Sequence, residues 1–266
     1  MKRLGFLSDW HCGSRWGLTP PEYQTAFSPA RAAWLWNTWL EFWDQAPRFD
    51  VLFLVGDLID GKQRRSEGTS LLTTSLKEQV DIARAAFRAI PARKRPRRII
   101  RLEGTNYHES FDGPLAAFDE EFGVWQPRAP EQSMVLDVKL PDGRGLNVKH
   151  EPEGSAALYM GTVQDRELLW SKVIEATNHL PTSTFLVRAH LHFAGLHRGF
   201  GKLLLNLPCW VLQQPYAIKR RYWRWQPSIG GVSLTAAANE DLGWRENFWT
   251  RTPPALEQQT YETIQL

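Results

Sequence analysis

The sequence has few cysteines and no long apolar run. Only Cys12 and Cys209 occur among 266 residues, too few for a disulfide framework and typical of a reducing compartment. No stretch approaches the roughly 20 apolar residues that a membrane-spanning helix needs. The apolar part of MKRLGFLSDWHCG is too short for a secretory signal and leads into an acidic residue, so we interpret it as a first strand. We therefore expect a cytoplasmic protein without a membrane segment.

The chain also lacks a large excess of charge of either sign. Its 32 Lys and Arg against 29 Asp and Glu give a net charge of +3, which permits nucleic-acid binding without implying it. The 42% of hydrophobic and 23% of charged residues are ordinary for a soluble globular protein. We find no internal repeat and no low-complexity segment. We expect one core over residues 1–215 and a C-terminal extension over residues 216–266 that packs on it.

Apolar runs alternate with helical patterns along most of the chain. The periodicity predicts strands at 4–8, 50–57, 97–104 and 184–190, and hairpins over 134–150 and 192–208. Apolar residues at helical spacing predict two helices, one with Trp36, Trp39, Leu40 and Trp43 on its buried face and one with Leu72, Leu76, Val80, Ala83 and Phe87. A third helix is predicted over 156–178. This order of elements indicates an α/β fold.

The apolar strands repeatedly end in Asp, Asn or His. These ends are Asp9 and His11, Asp57, Asn106 and His108, His150, and His190 and His192. A single histidine of this kind is more often a capping or core residue than a ligand. In α/β sheets, however, ligands bind at the carboxyl ends of the strands, so these residues can converge in space. Five of the seven histidines lie at these ends, which favours one shared site.

The motifs at these ends carry a family resemblance. In chain order they are DWH (9–11), GDLID (56–60), GTNYHE (104–109), KH (149–150) and AHLH (189–192). The set resembles the calcineurin-like metallophosphoesterase superfamily over residues 9–192. The versions SDWHCG and EGTNYHE, with the tail LPCWVLQQPYAIKRRYWRWQPSIGG, are most similar to phosphoesterases encoded by bacteriophages and prophages. For a phage-encoded protein, the expected location is the host cytoplasm.

The resemblance implies a calcineurin-like sandwich of two mixed β-sheets flanked by helices, and two divalent metal ions. Histidine and carboxylate ligands without thiolate suit manganese, which we favour, and also iron or zinc. Asp57 would bridge two ions about 3.5–4 Å apart, the separation used for displacement at phosphorus. The resemblance assigns Asp9, His11 and His192 to one ion, and Asn106, His150 and His190 to the other.

The implied chemistry is hydrolysis of a phosphate ester by a metal-activated hydroxide, without a protein nucleophile. The resemblance places His108 beside the leaving oxygen, where a histidine donates a proton or neutralises charge. It makes Asp60 the carboxylate that orients His108 and keeps it protonated, while a turn-stabilising role for Asp60 stays open. Glu109 is expected to support the same loop.

The third motif departs from the usual Gly-Asn-His loop of the family. Here Thr105 precedes Asn106, and Tyr107 separates Asn106 from His108. We expect the amide oxygen of Asn106 to bind metal, with Thr105 or a water molecule as the alternatives.

The segment YAIKRRYWRW (216–225) bears on the substrate. It mixes cations with aromatic rings, as surfaces that bind single-stranded nucleic acid do, and Arg220 and Arg221 are its candidate phosphate contacts. Arginines packed on surface tryptophans would give the same composition. We therefore favour a phosphodiester or nucleic-acid substrate, with a phosphomonoesterase acting on a small molecule or a protein as the alternative. A non-catalytic interaction scaffold of the same fold is a third hypothesis, against which the ligand set and His108 count.

Overall fold

The elements of the fold follow the predicted order of strands and helices. The computed structural model describes residues 2–25, 29–64, 67–109, 113–127, 134–152, 160–177, 182–214, 226–237, 240 and 243–254. These residues form β1 (Arg3–Leu7), α1 (Pro29–Gln45), β2 (Val51–Val55), α2 (Leu76–Arg88), β3 (Arg98–Leu102), α3 (Ala116–Phe122), β4 (Val135–Lys139), β5 (Gly145–Lys149), α4 (Met160–Ala176), β6 (Phe185–Arg188), β7 (Gly195–Gly199), β8 (Lys202–Asn206), β9 (Ile229–Ala236) and β10 (Trp244–Arg251).

The strands form two mixed five-stranded sheets. The first sheet has the order β10-β9-β1-β2-β3, with β1, β2 and β3 parallel and β9 antiparallel to β1. The second has the order β4-β5-β6-β8-β7, with β5, β6 and β8 parallel. Parallel neighbours need a crossover connection, which α1 and α2 supply in the first sheet and α4 supplies between β5 and β6. The prediction of two mixed sheets flanked by helices is confirmed.

Three apolar layers hold the sheets and helices together. Between the sheets, Phe6 stacks on Phe53 with ring centroids 5.0 Å apart, in a cluster that also contains Val148 and Val187. On the outer face of the first sheet, α1 and α2 bury an aromatic cluster that includes Trp39. On the second sheet, α4 packs Leu168 against Leu186 and Leu204. Burying one large apolar side chain contributes about 1.5–3 kcal/mol, so these layers fix the relative positions of the strand ends.

The two predicted helix faces differ from the observed ones in detail. In α1, Leu40 is 41% exposed, and Leu35 and Phe42 are buried instead, because the aromatic cluster covers a face turned slightly from the predicted one. In α2, the Ser75 side chain accepts a hydrogen bond from the Glu78 backbone N–H at 3.3 Å and caps the helix. Leu72 therefore precedes the helix that it was predicted to join.

The C-terminal segment, expected as an extension of a core over residues 1–215, contributes two strands to the first sheet. β9 pairs with β1 through Phe6 and Val232, and β10 pairs with β9 over its whole length. The segment thus completes the sheet that carries the first three motifs. Among the described residues, no helix combines the length and apolarity that crossing a bilayer requires.

A buried ion pair attaches α4 to the second sheet. The Arg188 guanidinium at the end of β6 donates from Nε to Glu167 Oε2 at 2.8 Å, and both side chains are buried. Arg188 also donates to the backbone oxygen of Val187 at 2.9 Å. Removing one partner of such a pair leaves an uncompensated charge in the interior.

We predict that Glu167→Leu lowers the free energy of unfolding by about 3–5 kcal/mol, because Arg188 is left buried without its carboxylate. The double variant Glu167→Leu/Arg188→Met should recover most of this loss, since apolar pairs of similar volume replace buried ion pairs well. Urea denaturation followed by circular dichroism measures both. A single variant as stable as the starting protein would contradict the prediction.

Candidate functional site

The carboxyl ends of the parallel strands of both sheets meet at one edge of the sandwich. Asp9 follows β1, and its backbone N–H donates to Gly56 O after β2 at 3.0 Å. From the second sheet, the backbone N–H of His190, which follows β6, donates to Asp9 Oδ2 at 3.3 Å. The loops after β1, β2 and β6 are therefore in direct contact, although Asp9 and His190 are 181 residues apart in the chain.

The structure brings most of the sequence-predicted ligands into groups of three. The ligand atoms of each group lie within 4.8 Å of one another, and the groups are Asp9 with His11 and His192, Asp57 with His150 and His190, and His11 with Asp60 and His108. Both carboxylates also approach one atom, His150 Nε2, which lies 3.1 Å from Asp57 Oδ2 and 3.8 Å from Asp9 Oδ1. The first two groups are thus adjacent parts of one cluster.

Distances within the groups match those between ligands around a metal ion. His192 Nε2 lies 3.1 Å from Asp9 Oδ1, and His11 Nε2 lies 3.8 Å from the same oxygen. Metal bonds of 2.0–2.1 Å in a tetrahedral arrangement place neighbouring ligand atoms about 3.3 Å apart. The two distances are near this spacing, so the three side chains could hold one divalent ion.

The two buried histidines present the same ring nitrogen to the carboxylates. His150 donates from Nδ1 to the backbone oxygen of Val55 at 2.7 Å, and His11 Nδ1 contacts Asp60 Oδ1 at 2.8 Å. The Nε2 atom of His11 is buried and has no hydrogen-bond partner. Donation from Nδ1 to a carbonyl or carboxylate is the arrangement that prepares Nε2 to bind a metal.

The carboxylates and imidazoles of the cluster shift one another's pKa values. Burial by itself raises the pKa of Asp9 and Asp57, but the nearby histidine charges outweigh it and lower both pKa values below the usual range. Conversely, burial lowers the pKa of His11 and His150, but hydrogen bonds and the charges of the surrounding carboxylates raise each to about 10. A potential that holds a proton on buried imidazoles also attracts divalent cations.

One side of the cluster is open to solvent. His190 is exposed, His192 is 29% exposed and His108 is 13% exposed, whereas Asp9 and Asp57 are fully buried. Burial lowers the pKa of both His108 and His190. A substrate can therefore reach the histidine side of the cluster while the carboxylates stay covered.

Several candidate ligands have a left-handed backbone. The φ angles lie between +46° and +67° at Asp9, His11, Asp57, His190 and His192. This conformation costs on the order of 1 kcal/mol or more for a non-glycine residue and concentrates at functional sites. Glycines make the close packing of the loops possible: a Cβ at Gly104 would lie 2.1 Å from Asp57 Oδ1, and one at Gly56 would lie 2.5 Å from His150 Nδ1.

In the third motif, Thr105 occupies the position next to Asp57. Its backbone N–H donates to Asp57 Oδ1 at 2.8 Å, and its hydroxyl lies 3.1 and 3.3 Å from the two carboxylate oxygens. Asn106 is exposed, at the start of the turn that leads to His108. Of the alternatives weighed for this loop, the structure brings Thr105 rather than Asn106 into contact with the cluster.

Asp60 contacts two histidines, His108, as the resemblance implied, and also His11. Its carboxylate lies 2.8 Å from His11 Nδ1 and 3.4 Å from His108 Nδ1. His108 donates from Nδ1 to the backbone oxygen of Asp60 at 2.8 Å. The backbone of Asp60 thus orients His108, and its carboxylate contacts His11 more closely.

The Glu109 carboxylate stabilises the loops that carry the candidate ligands. Glu109 is buried and accepts from the backbone N–H groups of Leu58 at 2.6 Å and Gly104 at 2.8 Å, so it links the loops after β2 and β3. Burial raises its pKa.

Gln79 of α2 exchanges two hydrogen bonds with the backbone of Gly61, at 2.8 and 2.9 Å. The sequence interpretation missed Gln79, although a glutamine four residues before the buried Ala83 was a usable signal.

Trp10 anchors the first motif, DWH (9–11), in the aromatic cluster. It lies between Asp9 and His11, is fully buried, and contacts Trp39 edge-on with ring centroids 5.0 Å apart. The aromatic cluster thereby anchors the segment that carries two candidate ligands.

The candidate substrate contacts Arg220 and Arg221 lie outside the described residues, as does the rest of 216–225.

Comparison with protein-family models and with curated proteins gave no match. Solved structures with a similar fold include a novel archaeal phosphodiesterase at 13% identity, covering 93% of this chain and 99% of that chain with a TM-score of 0.45. They also include Vps29 of Entamoeba histolytica complexed with Zn²⁺, at 12% identity, 93% and 98% coverage and a TM-score of 0.45. A predicted phosphoesterase of Streptococcus pneumoniae matches at 11% identity, 96% and 94% coverage and a TM-score of 0.40. These likenesses concern the fold alone.

We predict that Thr105→Ala weakens Mn²⁺ binding about 10- to 100-fold, because hydrogen-bonded neighbours of metal ligands contribute this much to affinity. Asn106→Ala, the matched control one residue along, should leave the affinity nearly unchanged. Competition with a fluorescent chelator measures both variants. The opposite ranking would support Asn106 as the ligand of this loop.

Proposed function

We propose that this protein is a metal-dependent phosphoesterase that holds two divalent ions between Asp9, His11 and His192 on one side and His150 and His190 on the other, with Asp57 shared. Manganese is the favoured metal, and iron or zinc are the alternatives. In the second half of the site, Thr105 supports Asp57, and Asn106 stays an alternative ligand. The proposal covers hydrolysis of phosphate esters, with phosphodiesters favoured.

The observation that carries the proposal is the buried and unpartnered Nε2 of His11. A buried ring nitrogen without a partner loses hydrogen bonds that it would have in water, which is costly unless another group binds it. It lies 3.8 Å from the Asp9 carboxylate, in a cluster of imidazole and carboxylate groups. This donor set suits manganese, iron or zinc. The residues therefore fit the metal that the sequence motifs imply.

Bound ions would supply Lewis-acid stabilisation of phosphate oxygens and a more acidic water. The protein itself contributes shape and burial. The carboxylates are covered, which excludes bulk water from their side, and the exposed edges of His190 and His192 leave one face for the ester. A phosphate bound there lies on the same side as His108.

His108 is the residue proposed to transfer a proton to the leaving oxygen. Its Nδ1 donates to the backbone oxygen of Asp60 at 2.8 Å, so Nε2 is the atom that exchanges a proton with substrate, and it can give one only from the doubly protonated ring. The ring packs edge-on against His11 with centroids 4.5 Å apart and so has a fixed orientation. A histidine in such a position contributes about 10²- to 10⁴-fold to the rate.

We predict that His108→Ala lowers kcat for a dialkyl phosphodiester about 10²- to 10⁴-fold while two equivalents of Mn²⁺ remain bound, since general acid catalysis is lost and no ligand is removed. With bis-p-nitrophenyl phosphate the loss should be smaller, because the leaving group needs little protonation. His197→Ala is the matched control. His197 lies on β7, where its side chain is 3.8 Å from Asp165.

Steady-state kinetics on both substrates and metal analysis of both variants test this role. Equal activity of His108→Ala and the starting protein on the dialkyl ester would remove His108 from the mechanism. Bound metal with no turnover of any ester would favour the interaction-scaffold hypothesis. Faster turnover of phosphomonoesters than of diesters would favour the phosphomonoesterase.

Arg220 and Arg221 are proposed to contact phosphates that flank the scissile bond. Each phosphate contact changes the slope of log affinity against log salt by about 0.7 for single-stranded nucleic acid. We predict that the double variant Arg220→Ala/Arg221→Ala flattens the slope for single-stranded DNA by about one to two units, while its hydrolysis of bis-p-nitrophenyl phosphate is retained.

Fluorescence anisotropy over a salt series measures this slope. The matched control is Arg93→Ala/Arg97→Ala on the exposed basic edge before β3, where both arginines contact surface aspartates. If the starting protein neither binds nor cleaves nucleic acid while the small diester turns over, the nucleic-acid substrate is wrong. The phosphoesterase activity would then stand without it.

A further inference from the structure

We infer that the Asp60 carboxylate is a positioning residue for the metal ligand His11, which it holds in the tautomer that leaves Nε2 free to bind a cation. The inference rests on the proposed metal centre. It departs from the role that the sequence motifs implied for Asp60, namely orienting and protonating His108.

The carboxylate and the backbone oxygen of Asp60 contact different histidines most closely. The carboxylate oxygen Oδ1 lies 2.8 Å from His11 Nδ1 but 3.4 Å from His108 Nδ1. His108 has a closer partner in the backbone oxygen of Asp60, at 2.8 Å. A backbone oxygen is present whatever side chain stands at position 60. The closer partner of His108 is therefore the backbone oxygen of Asp60, whereas the closer partner of His11 is its carboxylate.

The Asp60 carboxylate also decides which ring nitrogen of His11 keeps its proton. A neutral imidazole carries one proton, on Nδ1 or on Nε2, and only a nitrogen without a proton can bind a metal. The carboxylate of Asp60 accepts a hydrogen bond from Nδ1 and so favours the proton there. His11 and Asp60 are both buried, so no water competes for this contact. The unpartnered Nε2 then faces Asp9 Oδ1 at 3.8 Å.

Neighbouring hydrogen bonds keep the Asp60 carboxylate in place. Its second oxygen, Oδ2, accepts a hydrogen bond from Gln63 Nε2 at 3.1 Å. The backbone N–H of Asp60 donates to Cys12 O at 3.1 Å, directly after His11 in the chain. Gln79 clamps the next residue, Gly61, through both of its backbone groups. The carboxylate is thus fixed at both oxygens and through the backbone, as a positioning group must be.

The experiment uses the full chain with Zn²⁺ as a diamagnetic probe. Long-range proton–nitrogen correlation spectra of histidine-labelled protein report the tautomer of each ring, and titration calorimetry reports Zn²⁺ affinity. We compare Asp60→Ala with Asp60→Asn, which keeps the volume and one acceptor oxygen, and with His108→Ala. Circular dichroism verifies that each variant is folded.

We expect His11 of the Zn²⁺-loaded starting protein to carry its single proton on Nδ1. In Asp60→Ala, the Zn²⁺ affinity of one of the two equivalents should fall about 10- to 100-fold, as for other hydrogen-bonded partners of ligand histidines. The His108 tautomer should not change. Asp60→Asn should restore part of the affinity, and His108→Ala should bind Zn²⁺ like the starting protein. If Asp60→Ala does not fold, Asp60→Asn and the spectra of the starting protein still carry the test.

Unchanged Zn²⁺ affinity and an unchanged His11 tautomer in folded Asp60 variants would overturn the inference. A change confined to the His108 ring would return Asp60 to the role that the motifs implied. If the starting protein binds no Zn²⁺ or Mn²⁺ at all, the proposed metal centre fails. The Nδ1–H hydrogen bond of His11 in the metal-free protein, which the same spectra report and which Asp60→Ala removes, then tests the Asp60 contact separately.

Discussion

Two carboxylates, Asp9 and Asp57, are buried at the point where the two sheets meet, and both lie within 4 Å of His150 Nε2. Ionised groups in a protein interior cost several kcal/mol each unless opposite charges and hydrogen-bond donors compensate them. Here imidazoles, backbone N–H groups and the Thr105 hydroxyl provide that compensation. Much of the polar structure around the strand ends can be understood as a response to these two charges.

The compensation depends on loops that the rest of the fold holds rigidly. Left-handed residues are tolerated at the strand ends because neighbouring loops are hydrogen-bonded to one another and packed on buried layers. Glu109 links two of the loops, and Trp10 anchors a third in the aromatic cluster. The large aromatic content of the chain thereby serves the site, since a cluster of stacked and edge-on rings leaves little freedom to the segment between Asp9 and His11.

The site is asymmetric, as the proposed hydrolysis of an ester requires. Its carboxylate side is covered by the core, where a low dielectric strengthens the attraction between the carboxylates and any cation. Its histidine side reaches solvent at His190, His192 and His108. A charged substrate can approach the second side without exposing the first. The Asp60 carboxylate lies beneath both sides, in contact with His11 and near His108.

The sequence by itself determined the order of strands and helices and the residue types at the strand ends, because periodicity and local polarity are written in neighbouring residues. The motifs also pointed to two mixed sheets, which the structure contains. The sequence could not determine which pairs of oxygen and nitrogen atoms are in contact at the site, because those contacts join residues from distant parts of the chain. Only the tertiary structure placed Thr105, and not Asn106, in contact with Asp57. It also showed that the Asp60 carboxylate contacts His11 while the Asp60 backbone oxygen contacts His108. In the same way, it brought Gln79 into contact with the backbone of Gly61. Likewise, the C-terminal residues gave weak periodicity, and their place in the first sheet was decided by backbone pairing of β9 with β1. Pairing of this kind depends on which sheet edge is free to accept hydrogen bonds, a property that arises only once the other strands have assembled.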